Sequence, residues 1–503
     1  MPFTRHGSRT LAAALLGAAL LVGGCGTTVV NPVTGREERT VMDEATEITE
    51  GKKAHEQVLA EYGAYADPAL QAYVNGVGQK LAKLSHRSQL PWTFTVLDST
   101  EINAFALPGG YVYITRGLMA YLDSEAELAG VVGHEIGHVT ARHGAQRATR
   151  QQDAGLGVLA ATVLGAVLES QGVGGATQMA SQASQTAAAG WLATYSREQE
   201  LQADQLGAEY LARNRYNPSN MVDVIGVLKS QEQFAADLAQ AEGRAAPSGA
   251  NWLSSHPSNE QRLADIRRIA AGYKGDYADD GRARYLQAID GMSFGESSAQ
   301  GVTRGRNFFH EELGIALTAP QGWRIQNAPS AIALVNAPGD AGLIVSVVPA
   351  QAGKTHEEII RNLIKPTQGR VEQRNIHGLA ATQFTGSRRN DQGQTQAVNV
   401  LLVSGPGNRD YLLNRGARDA AALQRAATGL AEAEASFRPL SGAERAAARP
   451  WVLKTVPFPR GGFAELARSS PLPTQAEAQL KLLNSAYAGG GQPRPGQPVK
   501  IVR

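Results

Sequence analysis

Gly130-Val131-Val132-Gly133-His134-Glu135-Ile136-Gly137-His138-Val139-Thr140 lies near the end of a segment, residues 124–142, whose apolar spacing predicts a single helix. Residues four apart share a helix face, so His134 and His138 can turn both imidazoles to one metal ion while Glu135 projects beside them. Two neutral imidazoles suit zinc and leave coordination positions for a third protein ligand and a water, whose pKa falls to roughly 7 at the metal. Glu135 is then placed to take that water's proton and pass it to a leaving amine, so the reaction class is peptide hydrolysis. Ala126, Leu128, Ala129, Val131, Val132 and Ile136 make the rest of the helix apolar, as a buried active-site helix requires. His143, five residues past His138, reads as a helix-end histidine that points elsewhere and is favoured by the helix dipole.

A third ligand has to come from another part of the chain. Ser196-Arg197-Glu198-Gln199-Glu200-Leu201-Gln202-Ala203-Asp204-Gln205-Leu206-Gly207 reads as a second helix, its apolar positions being Leu201, Leu206 and Tyr210. Glu200 and Asp204 share one of its faces. Glu200 is the candidate third ligand, and Asp204 the carboxylate that orients a zinc histidine.

Taken together, the HExxH helix and the S-R-x-x-E-x-x-A-D-x-x-G segment resemble the gluzincin endopeptidases of metallopeptidase family forty-eight. That family includes prenyl-protein proteases, a heat-shock protease and periplasmic proteases that assist outer-membrane assembly. Two further stretches match it in order: Asn103-Ala104-Phe105-Ala106-Leu107-Pro108-Gly109-Gly110 upstream, and Ser255-His256-Pro257-Ser258 with Arg262 downstream. The resemblance covers about residues 44–273. It implies one Zn2+ per chain held by His134, His138 and Glu200, with Glu135 as catalytic base. Asp204 matches a position assigned in the family as a proton donor, although its spacing from Glu200 favours the orienting role. The family's active-site edge strand corresponds to residues 103–110, which makes Asn103 and Ala104 candidate substrate contacts through backbone pairing. Two roles are open to His256: stabilising the oxyanion, or occupying the open metal position and silencing the enzyme. Arg262 would support its loop.

At the amino terminus, Arg5 and Arg9 precede an apolar run, residues 11–22, too short to span a membrane comfortably, and Val22-Gly23-Gly24-Cys25 follows. This resembles a bacterial lipoprotein signal, with Cys25 as the lipid-modified first residue of the mature chain. Gly26, where some lipoproteins carry aspartate, is similar to those sorted to the outer membrane. Cys25 is also the only cysteine, so no thiol binds zinc and no intramolecular disulfide forms. With 48 Lys and Arg against 46 Asp and Glu, the chain is nearly neutral, and nothing in it suggests nucleic acid. A lipid anchor, in place of a basic patch, would hold it at a membrane.

The fold class expected is α+β: a mainly helical zincin-type protease domain with a small β-sheet, then an α+β antiparallel-sheet domain and a small LysM-like module. The expected boundaries are a signal peptide at 1–25, a polar tether at 26–42 and the protease at 43–274 with a helical lid insert at 151–190. A linker at 275–306, the α+β domain at 307–440 and the module at 451–503 complete the chain. Within the protease, helices are expected at 44–62, 68–85, 221–234 and 258–273, and strands at 92–97 and 111–115. In the second domain β-rich runs at 313–317, 331–335, 343–348 and 397–403 alternate with helices at 355–363 and 420–437, faintly similar to the PsbP type. His310, His356 and His377 are scattered there and form no reactive constellation. The last segment is similar to a degenerate LysM domain, whose ligand would be cell-wall glycan such as peptidoglycan. Arg460-Gly461-Gly462 stands where that motif has its Gly-Asp-Thr turn. The expected function is a lipid-anchored zinc endopeptidase of a Gram-negative periplasm acting on misfolded or stalled envelope proteins. Its alternative is a zinc-bearing chaperone or assembly scaffold.

Overall fold

The computed structural model describes residues 27–31, 34–150, 152, 195–241, 243, 256, 260–277, 279–328, 331–389 and 393–503. The expected signal peptide with Cys25, the lid insert apart from residue 152, and Ser255, Pro257 and Ser258 lie outside them.

An antiparallel hairpin of β1 (Thr27–Val30) and β2 (Glu37–Thr40) precedes helices α1 (Glu44–Tyr62) and α2 (Pro68–Lys83). Asp67 starts α2 by accepting from the backbone N–H groups of Ala69 and Leu70, while Pro68 sits at the helix start, where a missing N–H has no cost. β3 (Thr93–Leu97), β4 (Ala104–Leu107) and β5 (Tyr111–Thr115) form a sheet of order β3-β5-β4, with β3 parallel and β4 antiparallel to the centre strand. β4 is therefore an edge. Next come α3 (Arg116–Tyr121), α4 (Glu125–Thr140), α5 (Arg197–Arg213), α6 (Asn220–Ala241), α7 (Glu260–Ala271) and α8 (Arg282–Ala288). Ser124 caps α4 on the N–H of Glu127, and all 16 residues of that helix are buried. The predicted buried active-site helix is thus the centre of this half.

β6 (Ser293–Phe294) leads to β7 (Val302–Arg304), β8 (Asn307–His310) and β9 (Ile315–Thr318). Seven antiparallel strands follow: β10 (Arg324–Ala328), β11 (Ala331–Val335), β12 (Ala341–Val347), β13 (Pro366–Ile376), β14 (Leu379–Arg389), β15 (Thr395–Gly405) and β16 (Arg409–Ala417). Their order is β10-β11-β12-β16-β15-β14-β13. A short helix, α9 (His356–Ile359), and the pair α10 (Ala420–Arg425) and α11 (Ala427–Ala435) accompany this sheet; Leu430 and Ala433 of α11 join its core beside Leu343, Leu401 and Leu413. β17 (Arg438–Pro439) closes a second sheet of order β17-β9-β8-β7, and α12 (Glu444–Ala447) follows. The chain ends as β18 (Trp451–Pro457), α13 (Gly462–Ala467), α14 (Ala476–Leu483) and β19 (Pro498–Val502), with β18 and β19 antiparallel. The α+β class is borne out.

Three expected boundaries change. Residues 27–40 are a docked hairpin instead of a polar tether: Asn31 donates to Glu38, and the Val41 N–H donates to the Thr149 hydroxyl. The expected linker contains α8, whose Tyr285 and Leu286 are buried and whose Tyr285 hydroxyl donates to the Met119 carbonyl. The terminal segment is not a separate module. Leu453, Phe463, Leu480, Val499 and Ile501 belong to the same apolar core as Leu118, Leu128 and Val132, and β18 also pairs with β6. A strand pair with two short helices has too little apolar surface to close a core alone, so it completes one that the amino-terminal half leaves open.

Candidate metal centre

Small residues set how closely the two site helices approach. A Cβ placed on Gly137 would lie 2.8 Å from the Ala203 carbonyl oxygen, and one on Gly133 would lie 2.9 Å from Leu211 Cδ1. On the facing helix, a Cβ on Gly207 would lie 3.1 Å from the His134 nitrogen. The backbones of α4 and α5 therefore touch where the histidines sit, which brings Glu200 and Asp204 within reach. α5 begins with a reciprocal capping box between Ser196 and Gln199, fixing the turn that carries Glu200. Gly137→Ala is accordingly expected to destabilise the fold by about 1–3 kcal/mol through overpacking, although alanine favours an ordinary helix interior by roughly 1 kcal/mol. Thermal unfolding together with bound-metal content checks this; a stabilised variant with unchanged metal would contradict it.

Four donor atoms converge. His134 Nε2 and His138 Nε2 are 3.0 Å apart, and each lies 3.2 Å from His256 Nδ1. Glu200 Oε1 is 3.0 Å from His256 Nδ1 and 3.4 Å from His138 Nε2, and Glu200 Oε2 is 3.6 Å from His134 Nε2. Ligands at zinc–nitrogen distances of 2.0–2.1 Å on a tetrahedron stand about 3.3 Å apart. The four side chains, all buried, therefore fit a metal of zinc's size and coordination preference. Two of the four charges fit as well, while burial of His256 is outweighed by Glu135 and Glu200, which raise its imidazole above the ordinary histidine value. Burial holds the His138 imidazole neutral, its pKa lowered to about 4. Burial raises the Glu200 carboxyl, but His256 and a hydrogen bond with His138 outweigh it and leave the group well below the usual carboxylate range.

Beyond the donors, Asp204 Oδ1 is 2.9 Å from His134 Nδ1. Arg262 holds Asp204 with two bonds of 2.8 and 2.9 Å, donates to the His256 carbonyl at 3.0 Å and reaches Glu200 Oε2 at 2.6 Å. One buried guanidinium thus ties the loop of His256 to both carboxylates. Glu135 is wholly buried and lies outside the ring of donors, its Oε1 being 3.6 Å from His256 Nε2. β4 borders the cleft next to His138 through Ala106 and Leu107, with Pro108 of the turn that follows. Ala104 is fully buried and Asn103 lies at the strand's start, so neither side chain lines that cleft.

His143 is a correction. It does not point away: its Nδ1 is 2.8 Å from His138 Nδ1, and its Nε2 is 3.1 Å from Gln202 Oε1. α4 ends at Thr140 and Arg142 takes φ 61°, which folds the chain back and returns His143 to the site. Burial pulls its pKa well below the ordinary histidine value, so no dipole-favoured cation is present. Sequence reasoning also missed Tyr195, whose ring stacks on His138 with centroids 4.0 Å apart.

Two histidines one turn apart, a glutamate after the first and a carboxylate ligand from a second helix define a metallopeptidase-type centre. Residues 68–270 match Peptidase family M48, and the chain carries a domain of that family. It is 32% identical over 212 residues to the Beta-barrel assembly-enhancing protease of Escherichia coli (strain K12), covering 41% of this chain and 39% of that protein. It is 27% identical over 259 residues to the mitochondrial Metalloendopeptidase OMA1 of Bos taurus, covering 48% and 45%. The chain spans less than half the length of these curated relatives. Among solved structures, cyanobacterial PsbP from Synechocystis sp. PCC 6803 matches with 12% identity and a TM-score of 0.19, covering 28% of this chain and 98% of that one.

Proposed function

We propose that this chain is a zinc-dependent endopeptidase of the periplasm that cuts misfolded or stalled envelope polypeptides. The observation that carries the proposal is the buried near-tetrahedral set of His134, His138, Glu200 and His256 with Glu135 alongside. A zinc ion there would supply Lewis-acid chemistry toward a peptide carbonyl. His134, His138 and Glu200 hold it. Asp204 fixes the His134 ring through Nδ1 and His143 fixes the His138 ring through Nδ1. An extended substrate would pair along β4 from Ala104 toward the cleft at Ala106 and Pro108; the backbone N–H and carbonyl of Asn103 are already taken by Thr115, so the expected contact at Asn103 is not carried forward.

Catalytic zinc sites keep a position open, whereas closed four-ligand sites are structural. His256 Nδ1 takes the fourth corner here, so of the two roles open to this residue the lock is favoured. Casein cleavage by the purified protein tests the whole reading. His256→Ala is expected to raise the rate roughly tenfold by removing the closed population. A lost rate with zinc retained would instead assign His256 to the oxyanion.

The membrane attachment proposed is lipid on Cys25, at the outer membrane. Among the described residues no helix is long and apolar enough to cross a membrane. Cys25→Ser should release the protein from membrane fractions; unchanged fractionation would remove the anchor from the proposal. The zinc-bearing scaffold reading predicts full metal and no cleavage in any variant. Cell-wall glycan is left out, because the segment resembling LysM contributes Phe463, Leu480 and Val499 to the core of the protease half.

A further inference from the structure

The two edges of the seven-stranded sheet differ. β10, at one edge, has five residues and is tied down by Asn327, which donates to the carbonyls of Gln300 and Gly301. β13, at the other, has 11 residues, about twice the ordinary strand, and is exposed along nearly all its length. Among the described residues it forms its ladder with β14 alone. A row of backbone donors and acceptors this long is a template for another strand unless the sequence blunts it.

We propose that β13 pairs antiparallel with β13 of a second copy of this chain, centred on Val371, joining two sheets into one. Three observations support the register. First, β13 and β14 are joined by the two-residue turn His377-Gly378, with φ 50° and 85°, and Ile376 pairs with Leu379. In such a hairpin the residues flanking the turn form a hydrogen-bonded pair. The groups of Ile376, Arg374, Glu372 and Arg370 therefore face β14, and those of Asn375, Gln373, Val371 and Gly369 face outward; a bulge at Thr367 ends the regular alternation. Centring on Val371 aligns outward groups with outward groups in both copies.

Second, that register sets Arg370 opposite Glu372 of the other copy, twice by symmetry, in non-hydrogen-bonded pairs where side chains approach most closely. Gln368 meets Arg374 and Gly369 meets Gln373, so no like charges stand directly opposite. Third, Val371, a large apolar side chain left 57% exposed, meets its own copy at the centre. A shift by two residues, centred on Gln373, keeps a Glu372–Arg374 pair but sets Val371 opposite Asn375 and runs off the strand sooner. Charge on an edge strand ordinarily repels a partner; at this spacing it selects one.

Sedimentation of the mature full chain in detergent tests the pairing, with metal content confirming the fold of each variant. The parent protein should be dimeric. Arg370→Glu and Glu372→Arg should each weaken the dimer about tenfold or more, because each converts two attractive pairs into repulsive ones. The double swap should restore it. Val371→Cys should give a disulfide-linked dimer on mild oxidation, which reads the register independently of charge. A monomeric parent, a dimer indifferent to Arg370→Glu, or a double swap no better than the single ones would each overturn the proposal. A monomer that binds an extended peptide at this strand would hand the edge to substrate instead.

Discussion

Glu135→Gln is expected to abolish peptide hydrolysis while leaving bound metal and stability unchanged. The separation follows from the geometry. Glu135 contributes none of the four converging donor atoms, so replacing its carboxylate by an amide of the same shape removes no ligand. Its side chain is completely buried on α4 directly after His134, and Oε1 lies 3.6 Å from His256 Nε2 across the cleft. Its carboxylate would take the proton of the attacking water and return it to the leaving amine; an amide does neither. General acid–base groups contribute about 10²–10⁴ in rate. A loss of that size with unchanged metal content would assign Glu135 the chemistry. Cleavage that survives would place the base elsewhere, and loss of metal together with activity would make Glu135 part of the metal's support. Glu200→Gln gives the contrast, since it changes a donor of the cluster itself.

The helices of the site were legible because their chemistry is local. Two histidines four apart, and a glutamate and an aspartate four apart, declare a shared face whatever the rest of the chain does. Less visible was how the faces meet. Gly133, Gly137, Ala203 and Gly207 are the residues that let α4 and α5 touch, and a sequence presents them only as small residues inside helices, where glycine is otherwise unfavourable. His143 was misread for a related reason. Counting around a helix assumes that the helix continues, and the left-handed Arg142 breaks that count one residue before His143.

Strand patterns in the second half were legible where one face is buried. β11 alternates exposure residue by residue, and its run appears in the sequence at the same place. β13 escaped because it is exposed on both faces, and its polar run Thr367-Gln368-Gly369-Arg370 carries no period-two signal. Docking was invisible for the same physical reason at three places. The hairpin at 27–40, α8 in the expected linker and the final strand pair all look like short amphipathic or polar pieces. Each acquires its role from partners far away in the chain, such as Gln202 near Asn31 at 3.5 Å or Met119 beneath Tyr285.

The most consequential of those distant contacts is Lys500, and Lys500→Ala is expected to destabilise the amino-terminal half by about 3–5 kcal/mol, the cost of breaking a buried ion pair from one side. Lys500 is 1% exposed, yet its three ammonium protons have three acceptors: the carbonyls of Ala120 at 2.9 Å and Leu122 at 2.6 Å, and Asp123 Oδ1 at 3.1 Å. The two carbonyls end α3, where backbone acceptors lack helical partners and a cation is favoured. Asp123 directly precedes Ser124, the cap of the metal helix α4. Truncation to alanine removes the charge and all three bonds at once, leaving those acceptors in a pocket that admits little water. Arg282 remains 3.2 Å from Asp123, which favours the lower end of the range. Glu127, next in this cluster, has its carboxyl raised above the usual range by burial and by Asp123, in keeping with a site where uncompensated charge is disfavoured. Denaturant unfolding of the full chain, followed with metal content, measures the effect. If the terminal segment were an appended module, unfolding of the metal site would not move; a loss of several kcal/mol, with metal released in the same transition, is the result expected when a strand at the end of the chain helps hold the metal helix in place.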